Sequence, residues 1–255
     1  MKSIIDLHPF YNKYIFDVLG STNEHAMRYV SDGYPEGTLI LAYRQTHGRG
    51  RQGKTWDSPK NNLYFSIILR PNLCLRRCSQ LSFIAALSVR KSIKSLINSK
   101  YNILLKWPND ILVDQKKISG ILLETSSVNQ LNLVESLVLG IGVNVNNKSN
   151  LFANSTSISL YRGKTNIYEV LNLICNYFYE IYKDWKLNNN FERILNEWLQ
   201  FSYPIGTLLE VNKGGVNLKG KFNGLDSNGS LILLTNNKKE IITGGDVNII
   251  SLNKN

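Results

Sequence analysis

The sequence predicts an α+β fold in which a larger unit of strands and helices precedes a small unit of short strands. Over residues 21–201, alternating apolar and polar residues typical of strands are interspersed with apolar stripes at helical spacing. After Tyr203 and Pro204 the pattern changes to short apolar segments separated by glycine-rich turns, which is typical of a small barrel. We therefore expect a sheet with helices over residues 1–203 and a small β-barrel over residues 204–255.

The individual elements follow from periodicity and capping residues. Ser21 and Glu24 have the spacing of a capping box, which predicts a helix reaching about Ser31. Runs of β-branched, aromatic and aliphatic residues bounded by turn formers predict strands at Thr38–Arg44, Leu63–Arg70, Asn102–Trp107, Ile111–Val113, Lys117–Thr125 and Leu133–Val145. Apolar residues three and four positions apart predict helices at Ser79–Asn98, Ile167–Lys186 and Phe191–Phe201. The small unit is predicted to contain strands at Thr207–Val211, Val216–Leu225, Leu231–Leu234 and Glu240–Thr243.

Composition limits the classes of protein to which the chain can belong. Of its 255 residues 43% are hydrophobic, which excludes wholesale disorder. The apolar runs are shorter than the roughly 18 residues of a membrane span, and charged residues interrupt the N-terminal segment, so neither a membrane helix nor a signal peptide is expected. Three cysteines without a CxxC pair favour a reducing, cytoplasmic location over a disulfide framework.

The net charge of +11 leaves several partners open. It is compatible with nucleic acid, a membrane surface or an anionic substrate, and the basic residues are spread along the chain. A nucleic-acid-binding barrel is one alternative. Residues 204–255, however, contain a single aromatic residue, Phe222, so the stacking platforms of such barrels are missing.

One segment concentrates cations among glycines. Gly48–Thr55 matches both the phosphate-binding pattern GxxxxGK[ST] and the dinucleotide pattern GxGxxG. Both patterns require a helix that starts at the loop, whereas Pro59 and two asparagines follow here, and Asn61–Gln80 contains no acid for a ribose. We therefore reject both. A cationic, glycine-rich loop remains suited to wrapping a phosphate or acyl phosphate, and a basic surface hairpin is the alternative.

Three further segments combine strand patterns with functional side chains. Lys106–Asp110 places a cation, an aromatic residue, a proline turn and an acid at the end of a strand. Lys116–Glu124 begins an apolar strand with lysines and contains Gly120, which lets another group approach closely. Gly140–Asn146 is a strand with paired glycines and asparagines. Each segment alone is more often structural than functional, for example as a hairpin edge or as a strand with a bulge.

Their order is what identifies a family. The segments GRGRQGKTW, KWPNDI, KISGILLE and GIGVNVN, preceded by Ser21-Thr22-Asn23 and Arg44-Gln45-Thr46, resemble the biotin protein ligases over about residues 15–250. The resemblance implies a catalytic domain like that of class II synthetases, with a mixed, largely antiparallel sheet and helices, and a C-terminal SH3-like barrel. Family members that also repress biotin genes carry an N-terminal DNA-binding domain. Because the first motif here begins at Ser21, we expect the short form, without DNA binding.

The resemblance also implies a reaction. ATP and biotin would form biotinyl-5′-AMP with Mg²⁺, and biotin would then pass to a lysine of the biotin carboxyl carrier protein of acetyl-CoA carboxylase. A lipoate or octanoate ligase of related fold is the alternative, although its Arg-Arg and triple-glycine stretch is absent here. A homodimer is compatible with the family, and no membrane partner is expected.

Site residues are carried over motif by motif. The biotin contacts expected from the resemblance are Ser21, Thr22, Asn23, Gln45, Arg49, Gly50, Arg51 and Lys117. The nucleotide contacts expected are Arg49, Arg51, Trp56, Lys106, Asn109, Asn144 and Asn146. Lys117, Arg51 and Lys106 are expected to act in catalysis, with Arg51 retaining the adenylate. Asp110 either orients Lys106 or Lys117 or binds Mg²⁺, and Trp56 and Trp107 are either aromatic walls of the site or core residues.

Overall fold

The computed structural model describes residues 6–236 and 238–251, and a large mixed sheet forms its centre. The strands of this sheet are β1 Asn12–Phe16, β2 Thr38–Ala42, β3 Leu63–Leu69, β4 Leu73–Cys74, β5 Ile103–Lys106, β6 Asp110–Val113, β7 Lys116–Val128 and β8 Leu133–Val143. The strand order is β1-β2-β3-β8-β7-β6-β5, with β4 paired to β8. Strand β1 runs parallel to β2, and the other described pairs are antiparallel. The central strands β8 and β7 thus bring the last two sequence motifs side by side.

Helices cover both faces of the sheet. They are α1 Thr22–Ser31, α2 Leu75–Cys78, α3 Leu81–Leu96, α4 Ser159–Arg162, α5 Ile167–Asn188 and α6 Phe191–Gln200. As the capping box predicts, the Ser21 side chain accepts a hydrogen bond from the Glu24 backbone N–H at the start of α1. Within the described residues no helix has both the length and the apolar character needed to cross a membrane.

Because side chains alternate along each strand, the two faces of the large sheet carry different hydrophobic clusters. On β3, Phe65 and Ile67 point into the main core beneath α3 and α5, where Phe178 of α5 is also buried. The alternate residue Ile68 packs with Ala26 of α1 in a smaller cluster on the opposite face. Because α1 is short, it covers only part of that face, and the remainder is available for a site.

The second unit is a five-stranded antiparallel sheet. Its strands are β9 Leu208–Lys213, β10 Val216–Leu225, β11 Leu231–Thr235, β12 Lys238–Ile242 and β13 Asp246–Ser251, in the order β12-β11-β10-β9-β13. The predicted α+β class is confirmed. The boundary expected near residue 203 falls in the connection between α6 and β9, and closure into an SH3-like barrel stays a prediction.

A tryptophan attaches the small unit to the large one. Trp107 follows β5 and is buried, and its Nε1 donates to the backbone oxygen of Gly229 at 2.9 Å. A Cβ atom at Gly229 would lie 2.6 Å from the Phe83 ring of α3. The turn at Gly229 is therefore fitted against the main core, and Trp107 has at least a core role.

The elements that sequence patterns missed are short or lie at an edge. Strand β1 has five residues and an exposed outer side, so its apolar period is weak. Strands β4 and β13 and helices α2 and α4 were also not predicted. The predicted strand Leu133–Val145 ends at Val143 instead, because the next residues turn toward the loop that precedes α4.

Close packing at Gly229 gives a prediction for stability. Gly229 has a φ of +84° and Gly33 has a φ of +81°, but a Cβ atom at Gly33 would meet nothing within 4 Å. Gly33→Ala should therefore cost about 1 kcal/mol, from backbone conformation alone. Gly229→Ala should cost a further ~1–3 kcal/mol from the clash with Phe83. Urea unfolding followed by circular dichroism measures both, and equal losses would show that Phe83 yields without cost.

Candidate active site

A cavity of about 570 Å³ opens on the part of the sheet that α1 leaves uncovered. Both units contribute to its wall. The predicted site residues that line it are Ser21, Thr22, Asn23, Gln45, Arg49, Gly50, Arg51, Trp56, Lys106, Asn109, Asp110 and Lys117. Residues far apart in the sequence thus meet in one place.

The floor of the cavity is a stretch of sheet without side chains. Gly142 of β8 pairs with Gly120 of β7, which in turn pairs with Asp110 of β6. The indole of Trp56 lies directly on the two glycines, since a Cβ atom would come within 2.6 Å of it at Gly142 and 2.8 Å at Gly120. The Nε1 of Trp56 is buried and has no hydrogen-bond partner in the described part of the chain. Trp56 is therefore a wall of the cavity with an unused donor.

A β-bulge directs Lys117 into the cavity. Ile111 of β6 pairs with Ser119, but the next residue, Leu112, pairs with Lys117, so Ile118 is an extra residue in β7. Strict alternation from Gly120 would turn Lys117 to the other face of the sheet. The bulge reverses this, which is a common use of bulges next to functional sites.

Lys117 and Lys106 share the carboxylate of Asp110. Lys117 Nζ lies 2.7 Å from Asp110 Oδ1, and Lys106 Nζ lies 4.0 Å from Oδ2. The Lys117 ammonium is also 5.2 Å from the centre of the Trp56 ring. Burial lowers the pKa of the Lys106 ammonium, and the charge of Asp110 acts in the opposite direction. The cluster therefore holds two cations against one carboxylate, which favours an anionic ligand.

The glycine- and arginine-rich loop closes one side of the cavity. It contains a single 3₁₀ turn at Arg51–Gly53, and no α-helix begins there, as expected from the rejection of both phosphate-binding patterns. Arg51 Nη1 donates to Asn109 Oδ1 and to the Gly245 backbone oxygen, each at 3.3 Å. Lys54 Nζ lies 2.6 Å from Asp246 of the small unit. The loop is thus anchored to both units.

The opposite end of the cavity is polar and uncharged. Gln45 Oε1 accepts from the backbone N–H of Thr22 at 2.8 Å and lies 3.1 Å from its hydroxyl. Ser66 Oγ is 2.8 Å from Thr22 Oγ1 and 2.6 Å from Asn23 Oδ1. Thr22, Asn23 and Ser66 are buried. These hydroxyl and amide groups offer both donors and acceptors to a compact polar ring.

Asn144 and Asn146, two predicted nucleotide contacts, lie outside the cavity lining. Asn144 Nδ2 donates to the backbone oxygen of Thr156 at 3.0 Å. Asn146 Nδ2 donates to the oxygen of Thr165 at 2.8 Å, and its Oδ1 accepts from the Thr165 N–H. The two amides hold the chain between β8 and α5 in place, and Asn144 Oδ1 is buried with no hydrogen-bond partner among the described residues. The nucleotide role of both residues stays a prediction.

Sequence patterns missed several residues that line the cavity. Asp246–Ile249 of β13 belong to the small unit, and Leu151–Asn154 lie in a polar segment that carries no motif. The two glycines before Asp246 indicate only a turn, and nothing local connects them with Lys54. Glu124, which pairs with Arg49 at 2.8 Å, was also not selected.

The site as a whole fits a molecule with an uncharged polar head and an anionic end. The cations Arg49, Arg51, Lys54, Lys106 and Lys117 line the cavity against two carboxylates, Asp110 and Asp246. Each carboxylate is paired with a lysine. Such an arrangement can offset negative charge that develops on a phosphate.

Family models match both units. The model described as the biotin/lipoate A/B protein ligase family matches residues 15–144. The model of the biotin protein ligase C-terminal domain matches residues 210–249.

Individual proteins and structures are similar over most of the chain. The bifunctional ligase/repressor BirA of Bacillus subtilis is 35% identical over 240 residues, which is 91% of this chain and 72% of that protein. The biotin–[acetyl-CoA-carboxylase] ligase of Paracoccus denitrificans is 30% identical over 237 residues, 89% and 96% of the two chains. The Aquifex aeolicus biotin protein ligase in complex with biotin and ATP superposes with a TM-score of 0.80 at 26% identity, covering 93% and 99%. The chain therefore belongs to the biotin/lipoate A/B protein ligase family and, within it, to the biotin protein ligases.

Proposed function

We propose that this chain activates biotin with ATP and transfers the biotinyl group to a lysine of an acceptor protein. A carboxylate oxygen of biotin attacks the α-phosphorus of ATP, and pyrophosphate leaves as its bond to that phosphorus breaks. The lysine ε-amine then attacks the acyl carbon of biotinyl-5′-AMP, the new amide forms, and AMP leaves with the electron pair while the amine loses a proton. Both attacking groups belong to substrates, so catalysis rests on positioning and charge.

The division of the cavity into an uncharged polar end and a cationic end supports this function best. Thr22, Asn23 and Gln45 suit the ureido ring of biotin, which presents donors and an acceptor in a small planar group. The Trp56 indole, which packs on Gly120 and Gly142, gives the acyl chain an apolar wall beside Lys117.

The cationic side chains would contact the carboxylate and phosphate groups of the substrates. Lys117 would hydrogen-bond the biotin carboxylate and stabilise charge at the α-phosphate, because the bulge directs its ammonium into the cavity. Lys106 would face the same oxygens or the leaving pyrophosphate. Arg51, held by Asn109 and the Gly245 oxygen, would close over the biotinyl phosphate and retain it.

Asp110 serves best as the residue that orients the two lysines. Its carboxylate already contacts both ammonium groups, and the described residues contain no group of three or more His, Cys, Asp or Glu side chains able to hold a metal. One carboxylate is too few for a metal site built by the protein alone, whereas Mg²⁺ is commonly held by one or two carboxylates together with substrate phosphates, so a contact between Asp110 and Mg²⁺ stays a prediction. Mg²⁺ would enter with ATP as part of the substrate.

The acceptor is the biotin carboxyl carrier domain of acetyl-CoA carboxylase, by analogy with the named Paracoccus ligase. A cytoplasmic location suits that acceptor. A homodimer and the absence of DNA binding stay predictions.

The test of the function is ATP–pyrophosphate exchange with biotin, octanoate, lipoate or no acid. We expect exchange with biotin and none with octanoate or lipoate. The polar end of the cavity offers hydrogen-bond partners for the ureido ring of biotin, and the two fatty acids have no such ring. Equal exchange with octanoate would instead favour a lipoate-type ligase. Exchange with none of the acids would refute the adenylation step.

Lys117→Ala should abolish biotinyl-AMP formation while biotin still binds weakly. The variant removes the ammonium nearest Asp110 and leaves the polar end of the cavity intact. Lys116→Ala is the matched control, since Lys116 is the exposed neighbour on the same strand. Exchange rates and calorimetric biotin binding measure the two effects. Normal adenylation by Lys117→Ala would remove this residue from the mechanism.

Arg51→Gly should release biotinyl-AMP into solution and label bystander proteins. Its matched control is Gln52→Gly in the same loop, because Gln52 is exposed and has a φ of +55° that glycine adopts readily. Both variants loosen the loop, but only the first removes the guanidinium. Labelling of added albumin measures the leak. Labelling that stays confined to the acceptor in both variants would contradict the retention role.

A further inference from the structure

A chain of hydrogen bonds joins the polar end of the cavity to the arginine-rich loop through Glu124, which lies outside the cavity lining. Glu124 Oε2 accepts from Asn23 Nδ2 at 2.8 Å. Its other oxygen, Oε1, accepts from Arg49 Nη2 at 2.8 Å. Asn23 Oδ1 in turn accepts from Ser66 Oγ at 2.6 Å. One carboxylate thus contacts two residues of the cavity lining, Asn23 of α1 and Arg49 of the arginine-rich loop.

The carboxylate determines the orientation of the Asn23 amide. An ionised carboxylate only accepts hydrogen bonds, so Nδ2 must face Glu124 and Oδ1 must face Ser66. The reverse orientation would bring two acceptors together in a buried place, where Asn23 is 3% exposed. Glu124, together with the Leu122 backbone oxygen 3.5 Å from the same Nδ2, therefore fixes the orientation of the Asn23 amide at the polar end of the cavity.

The backbone prevents Asn23 from moving away from this contact. Asn23 lies directly on Gly140 of β8, where a Cβ atom would be 2.0 Å from Oδ1. Ser66 and Glu124 hold its amide from the neighbouring strands β3 and β7. A displacement of the Glu124 carboxylate would therefore break its hydrogen bond to Asn23, because the Asn23 side chain cannot move with it.

The second oxygen of the same Glu124 carboxylate holds Arg49. Its guanidinium is half-exposed and has one N–H directed at Glu124, which leaves further donors of the same planar group for the cavity. An arginine that is already oriented loses less side-chain freedom when a phosphate binds.

We propose that Glu124 is a positioning residue that couples recognition of the biotin ring to the placement of Arg49 over the adenylate. The inference rests on the proposed function, since it assigns the biotin ring to Asn23 and the phosphate to Arg49. Glu124 itself contacts no reacting atom and acts through its two partners.

The test compares Glu124→Gln with Glu135→Gln, an exposed glutamate on the adjacent strand β8. In Glu124→Gln one oxygen becomes an NH₂ donor that must face the Asn23 amide or the Arg49 guanidinium. We expect the KM for biotin in pyrophosphate exchange to rise about tenfold, the size of one lost buried hydrogen bond. Release of biotinyl-AMP should also accelerate, while kcat for exchange changes by less than about threefold.

A double-variant comparison with Arg49→Gln isolates the coupling. The double variant should release biotinyl-AMP no faster than Arg49→Gln alone, because the same contact is already lost. The increase in KM for biotin should persist in the Arg49→Gln background, since it acts through Asn23. Glu124→Asp keeps the charge but is one methylene shorter. It should therefore keep one of its two partners and give an intermediate change in biotin KM and in adenylate release. If Glu124→Gln does not fold, Glu124→Asp takes its place in the comparison.

Two results would overturn the proposal. One is a Glu124→Gln variant whose biotin KM and adenylate release match those of Glu135→Gln. The other is a fully additive effect on release in the double variant. An unmodified protein without biotin-dependent exchange would refute the proposed function itself, so the two failures are distinguishable.

Discussion

The site depends on side chains that pack directly against bare backbone in the centre of the sheet. Trp56 lies on Gly120 and Gly142, and Asn23 lies on Gly140, at distances that no Cβ atom would permit. The opposite face carries the main core under α3 and α5, so the strands that bear these glycines are held rigidly. The missing side chains therefore let Trp56 and Asn23 pack closely on a well-supported surface, from which both side chains line the cavity.

Charge is distributed in the cavity so that the cations of the lining outnumber its carboxylates. Asp110 and Asp246 are each paired with a lysine, and Glu124 is paired with Arg49. These pairs orient the cations without cancelling them, because the lining contains more cations than carboxylates. The overall charge of +11 is not needed for this arrangement, since the relevant groups are those that converge on one cavity.

The small C-terminal unit is part of the site as well as a neighbour of it. The Gly245 oxygen accepts from Arg51, and Asp246 pairs with Lys54. The same unit is attached through Trp107 and the packing of Phe83 on Gly229. A substitution at Trp107 or Gly229 that displaces the small unit would therefore also displace the arginine-rich loop, because Gly245 and Asp246 of that unit hold Arg51 and Lys54.

The sequence by itself determined the α+β class, most elements, and the ordered motifs that identify the family, because periodicity, capping and motif spacing are local properties of the chain. It also indicated Gly120 as a place of close approach. Only the tertiary structure decided that Lys117 faces the cavity, because a one-residue bulge reverses the alternation that sequence patterns assume. Likewise, Asn144 and Asn146 brace a loop, and Asp246 reaches the site from the other unit. These outcomes depend on the strand order and on how the two units pack, and such contacts between distant residues leave no local signal.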